Sequence, residues 1–130
     1  MIRKPIVAGQ FYEAEEEKLT SQIEESFTHK KGPGSIPSGQ RNGTLKGIIS
    51  PHAGYPFSGP CAAHGFKAIA ESEIADLYII IGPSHIGFHK SCFSEDDWET
   101  PFGLARTDSD FGIILEENHI NLIPLPHKEE

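Results

Sequence analysis

The sequence is short of the residues that cross-link chains and of those that hold polyanions. Its only cysteines, Cys61 and Cys92, form no Cys-x-x-Cys pair, and without an export signal no disulfide between them is expected. Eleven Lys and Arg stand against nineteen Asp and Glu, for a formal charge of −8. That balance argues against nucleic acid as a partner, because phosphate binding needs a basic footprint, while cationic and metal partners stay open. No apolar run approaches the length of a bilayer span, so no membrane partner is expected. Met1-Ile2-Arg3-Lys4-Pro5 lacks the apolar core of a secretory signal, and the expected location is cytoplasmic. There is no G-x-G-x-x-G or Walker-type loop, and no G-x-S-x-G elbow surrounds Ser84. Nucleotide binding and serine hydrolysis therefore drop out.

What is present is one domain's worth of chain, 130 residues of ordinary composition. Two apolar, β-rich runs stand out, at 45–50 and 77–81. Each breaks into a Gly/Pro turn that carries a histidine: Ser50-Pro51-His52-Ala53-Gly54-Tyr55 and Ile81-Gly82-Pro83-Ser84-His85. Such runs suit strands covered on both faces of a parallel sheet. Residues 13–30 predict a helix with Glu15-Glu16-Glu17 in its first turn and an apolar stripe at Leu19, Ile23 and Phe27. Residues 31–43 read as a loop rich in Gly, Pro and Ser.

A second helix is expected at 58–71, with Ser58 as N-cap, Pro60 in the first turn and a packing face of Ala62, Ala63, Phe66, Ile69 and Ala70. With the flanking runs it would make a right-handed β-α-β unit. Residues 2–12 read as an extended arm or short strand and 86–95 as an extended piece. Residues 96–103 read as a turn, with a short extended piece at 104–107. A third helix is expected at 108–118, capped by Asp108 or Ser109, before a strand-like run at 120–125. The fold class is therefore α/β, a single domain over 1–130 with a partly parallel or mixed sheet and flanking helices.

His52 and His85 are the candidates for chemistry. Ligands collect outside the carboxyl ends of strands in open α/β sheets, and neighbouring strands lie about 4.8 Å apart. Neutral imidazole is a ligand for iron, copper and zinc. Two donors do not close a site, and hydrogen bonding within each turn is the plainer reading. His85 and His89 share the zincin spacing but lack its glutamate, with glycine between them. His64 reads as a packing or surface residue, and His29, His119 and His127 as helix-end or loop histidines. Cys61 reads as a small buried filler. Asp96, Asp97 and Glu99 read as a solvated acidic turn in preference to a carboxylate ligand.

At these residues the chain resembles the Memo family, component B of the AmmeMemoRadiSam system. The resemblance rests on Pro5-Ile6-Val7-Ala8-Gly9-Gln10-Phe11-Tyr12, on Ser50-Pro51-His52-Ala53-Gly54-Tyr55 followed by Ser58-Gly59, on Ile81-Gly82-Pro83-Ser84-His85, and on Trp98-Glu99-Thr100-Pro101-Phe102-Gly103. It implies a fold similar to class III extradiol dioxygenases, with a metal held by two histidines that correspond to His52 and His85. Iron or copper is favoured and zinc is open. Tyr55 and Ser84 are then pocket residues, and the implied activity is that of a non-haem metal-dependent oxidoreductase.

The family pattern continues with a Glu-His-Ser-Ile-Glu-type motif and a later histidine and cysteine, which this sequence lacks. The expectation is an N-terminal fragment with an incomplete site. The resemblance also opens two non-catalytic readings. One is a module for a peptide or small-molecule ligand, against which stands the scarcity of pocket cations (Lys46, Lys67 and Lys90). The other is a scaffold for radical-SAM and AMMECR-like partner proteins.

Overall fold

Helices in this chain form where the sequence can satisfy its own backbone, and strands form only where a partner segment is at hand. A computed structural model describes residues 1–85, 92–118 and 123–124. The chain is α/β, with three helices and short strands among the described residues, gathered into two compact units, one of residues 7–76 and the other of 1–6 with 77–130.

The first unit is built on α1 (Glu16–Thr28) and α2 (Tyr55–Ala70). Glu16 and Glu17 occupy the first turn of α1, where the helix dipole favours them. Leu19 from the expected stripe is 3% exposed, with Ile23 and Phe27 half-buried. Ala63 of α2 is likewise buried. The two helices approach closely at Gly59, where a Cβ would stand 2.5 Å from Ser26 Oγ. Ser26 is buried there and donates to the Gln22 carbonyl at 2.9 Å, so its hydroxyl is satisfied inside its own helix. The 31–43 segment has no regular structure, as expected. Its end is strapped to the foot of α2 by Asn42 N–H donating to the Glu71 carbonyl at 2.7 Å and Glu73 N–H to the Gly43 carbonyl at 2.9 Å.

Helix α2 starts three residues before the sequence expectation. Gly54 is its N-cap and Pro56 lies in its first turn, a position that needs no N–H. Ser58 does not cap: its hydroxyl donates to the Ala53 carbonyl at 2.9 Å, and Pro60 falls inside the helix. Cys61 is exposed, not a buried filler, because the face of α2 that meets α1 is the one carrying Gly59 and Ala63.

The second unit holds the strands. β1 (Ile2–Arg3) runs parallel to β3 (Asp97–Thr100), which pairs antiparallel with β4 (Gly103–Ala105) in a three-stranded mixed sheet. β2 (Cys92–Phe93) pairs in parallel with β5 (Ile123–Pro124). Residues 96–103 are thus not merely a turn: 97–100 are a strand, because the arm at 2–3 and the return at 103–105 supply its hydrogen bonds. Gly103, at φ +112°, makes the reversal, and Thr100 Oγ1 donates to the Gly103 carbonyl at 2.8 Å. α3 (Ser109–Glu117) begins as expected, with the Asp108 carboxylate accepting from Phe111 N–H at 3.0 Å. Its Gly112 is buried against Phe93: a Cβ would meet the ring at 3.0 Å, a tight contact that the ring would have to relieve by shifting.

The two runs expected to be central strands are not strands. Residues 44–53 and 77–84 have no regular structure, and Ile49, Ile80 and Ile81 are 104%, 93% and 92% exposed. A strand's N–H and C=O groups are met only by a neighbouring strand, and neither run takes part in a strand pairing among the described residues. The expected β-α-β unit is accordingly absent among the described residues. The expected extended pieces at 86–91, 120–122 and 125, together with His89, Lys90, His119 and His127, lie outside them.

Candidate functional site

His52 sits on an exposed turn immediately before α2. The turn is held from both sides. Downstream, the Gly54 carbonyl accepts from Phe57 N–H at 2.9 Å and Ser58 N–H at 3.1 Å, and the Ala53 carbonyl takes the Ser58 hydroxyl. Upstream, Tyr55 N–H donates to the Phe11 carbonyl at 2.8 Å. Gly54 is buried against the same backbone, and a Cβ there would press on the Phe11 oxygen at 3.2 Å. Phe11 is fixed in turn by its own N–H donating to the Val7 carbonyl at 2.9 Å, within a compact turn at 7–12. The Val7-to-Tyr12 and Pro51-to-Tyr55 stretches, about forty residues apart in sequence, therefore form one structural feature.

Tyr12 and Tyr55 join that feature through their rings, whose centroids are 5.8 Å apart with planes tilted by 44°. Burial raises both phenols above the ordinary 10.0, and for Tyr55 the neighbouring Tyr12 adds to it. At neutral pH the Tyr55 hydroxyl is thus a hydrogen-bond donor, as a residue holding a ligand oxygen would need to be.

Tyr55 also lines an open cleft of about 480 Å³ between α1 and α2, with Glu25, His29, Lys31, Phe57 and Cys61 among its walls. His52 is not among them. His29, the C-cap of α1, accepts from Lys31 N–H through Nδ1 at 3.1 Å, and His64 is exposed with Nε2 at 3.1 Å from the Lys31 carbonyl. His29 is thus the helix-end residue expected, and His64 a surface residue of α2. Nothing in the sequence pattern marked this cleft, since its walls come from two helices whose relative rotation only packing defines.

His85 and Ser84 are exposed, at the end of the 77–84 segment in the other unit. His52 and His85 thus belong to different compact units. Among the described residues, no three His, Cys, Asp or Glu side chains are grouped as a metal site requires. The two imidazoles fit iron, copper or zinc in chemistry but fall short of a metal's donor count. Asp96, Asp97 and Glu99 are engaged elsewhere. Asp96 takes the Met1 ammonium at 2.9 Å, Glu99 pairs with Lys4, and Asp97 accepts from Thr107 N–H at 2.9 Å. Arg3 stacks over the Trp98 ring at 4.2 Å. This unit's Trp-Glu-Thr-Pro-Phe-Gly motif therefore fastens the N-terminal arm to the sheet. Of the cations considered earlier, Lys67 donates to the Ser35 carbonyl at 3.2 Å, Lys46 is exposed, and Lys90 lies outside the described residues.

Comparison with known proteins agrees with this pattern of motifs. The sequence matches the family described as Memo-like protein over residues 3–130. It is 45% identical over 118 residues to a MEMO1 family protein of Methanopyrus kandleri, covering 88% of this chain and 42% of that relative. A MEMO1 family protein of Methanothermobacter thermautotrophicus is 40% identical over 134 residues, with 100% and 48% covered, and one of Nitrosopumilus maritimus is 46% identical over 120 residues, with 91% and 42% covered. The chain spans less than half the length of these relatives. It belongs to the Memo family.

Proposed function

We propose that this chain contributes His52 and His85 as two ligands of a metal site in a Memo-like, dioxygenase-like protein, with iron or copper favoured over zinc. The observation that carries this reading is the build of the His52 turn, tied by Phe11 on one side and by the first turn of α2 on the other. A turn held by backbone hydrogen bonds keeps an imidazole where a ligand must stand, at little entropic cost on binding. The half-buried, protonated Tyr55 beside it suits a hydrogen bond to a ligand oxygen. The third donor has to come from residues outside those described or from another polypeptide. A bound iron or copper ion would supply redox chemistry toward oxygen, and the chain's own part would be to position the ion and orient what binds beside it.

A second reading, binding of a small molecule or peptide without turnover, takes its support from the α1–α2 cleft. Anaerobic titration with iron, copper and zinc separates the two. The metal reading expects binding of one equivalent that His52→Ala and His85→Ala each weaken strongly. Stoichiometric metal retained in both variants would overturn it, and saturable peptide binding indifferent to metal would favour the second reading. Radical-SAM and AMMECR-like proteins are the proposed partners, and co-purification with them tests that role.

A further inference from the structure

The α1–α2 cleft lies wholly inside one compact unit, and its walls divide into groups already committed and groups left open. Gln22 and Ser26 are committed. Gln22 Oε1 accepts from Glu13 N–H at 3.1 Å, and the Ser26 hydroxyl donates to the Gln22 carbonyl. The Glu25 carboxylate, the Lys31 ammonium and the Tyr55 hydroxyl have no hydrogen-bond or ion-pair partner among the described residues. His29 stands between: its Nδ1 accepts from Lys31 N–H, so the neutral ring carries its proton on Nε2 and can donate there. The cleft thus offers donors from Lys31, His29 and Tyr55, and one anion, Glu25. Apolar walls complete it, from Pro56, Pro60 and Phe57, the last 87% exposed although an aromatic ring gains most from being covered.

A ligand that answers all of these groups is closely specified. Several donors suit a carboxylate, a glutamate suits an ammonium, and a bare ring beside prolines suits an aromatic or branched apolar group. A simple anion would meet the chain's formal charge of −8, and a simple cation would leave Lys31 unanswered; a zwitterion satisfies both. At about 480 Å³ the cleft is near the lower end of small-molecule sites, which span roughly 300–1,000 Å³. That size takes an amino acid or dipeptide, not a folded partner. We propose that the α1–α2 cleft binds a small zwitterion with an apolar side chain, an α-amino acid or dipeptide. Glu25 holds its ammonium, and Lys31, His29 and Tyr55 hold its carboxylate. The proposal gives the binding reading of this cleft its ligand class and rests on that reading, not on the metal site.

The test is titration of the 130-residue chain, in metal-free buffer at neutral pH, with L-phenylalanine and with the dipeptide Phe-Ala, followed through amide chemical shifts. The controls are 3-phenylpropionate, which lacks the ammonium, and phenethylamine, which lacks the carboxylate. The expected result is saturable binding of at least one zwitterion, with shifts centred on 22–31 and 55–61. It should be about tenfold or more tighter than either control, the worth of one charge-assisted hydrogen bond. Glu25→Gln should abolish the preference over 3-phenylpropionate, and Lys31→Met the preference over phenethylamine. Both variants should keep the parent's helical signal, because both side chains are exposed. Zwitterion binding that neither variant weakens would overturn the assignment. A control that binds the cleft as tightly as the zwitterions would overturn the ligand class and leave the cleft reading standing. No saturable shift at these residues with any of the four probes would overturn both.

Discussion

The unit of residues 7–76 and the unit holding 77–130 use similar amounts of apolar sequence to different effect. In the first, α1 and α2 close their backbone hydrogen bonds locally, so the chain need only bring two helix faces together to bury Leu19 and Ala63. In the second, the strands are two to four residues long and each needs another segment to pair with, remote in sequence where Asp97–Thr100 meets Ile2–Arg3 and adjacent where it meets Gly103–Ala105. Where such a segment exists, a strand forms. Tyr78-Ile79-Ile80-Ile81 enters no strand pairing among the described residues and stays exposed. Helices are local solutions and strands are collective ones, and the two candidate histidines both follow segments of the collective kind.

The strongest way to break this comparison is in the helical unit. Leu19→Ala removes a side chain that is almost fully enclosed and should cost about 2–5 kcal/mol, read as a large fall in the thermal midpoint of the helical signal. Asp108→Ala removes the side-chain hydrogen bond that caps α3 and should cost about 1 kcal/mol, seen as reduced protection of the 109–117 amides only.

A smaller effect is expected from pH. The Ser38 N–H, donating to Glu71 Oε1 at 2.8 Å, with Lys67 beside it, holds the Glu71 carboxyl below its ordinary 4.5. A depressed carboxyl contributes stability that is complete above pH 4.5 and disappears as pH falls through the lowered value. The difference in thermal midpoint between the chain and Glu71→Gln should therefore shrink on acidification below 4.5. The smallest effect is expected at the bare segments. Ile80→Ala should change the stability of the isolated chain by less than about 0.5 kcal/mol, because the side chain is almost fully exposed. A loss comparable to Leu19→Ala would mean that Ile80 is enclosed.

Much of the local architecture was legible in sequence. The four-residue recurrence of Leu19, Ile23 and Phe27 located α1, and Asp108 marked the start of α3. Ser58 misled because a serine before an apolar run resembles a cap, whereas Gly54 and Pro56 open the helix earlier. The β3–β4 hairpin was hidden by its length and by Pro101, and its pairing with Ile2–Arg3 is non-local. Residues 45–50 and 77–81 have the composition of strands but not the neighbours, and composition cannot report neighbours. At the site, the turn positions of His52 and His85 were readable from Gly and Pro around them. The clamp of Phe11 on Tyr55 and the α1–α2 cleft were not, since both arise from packing between distant segments.

Residue-level hydrogen exchange on the 130-residue chain alone tests the central contrast most directly. The account predicts slow exchange along α1 and α2 and exchange close to that of an open chain at 45–50 and 77–81. Protection at 77–81 equal to that of α2 would contradict it, and would mean that the segment leading to His85 is already paired within this chain.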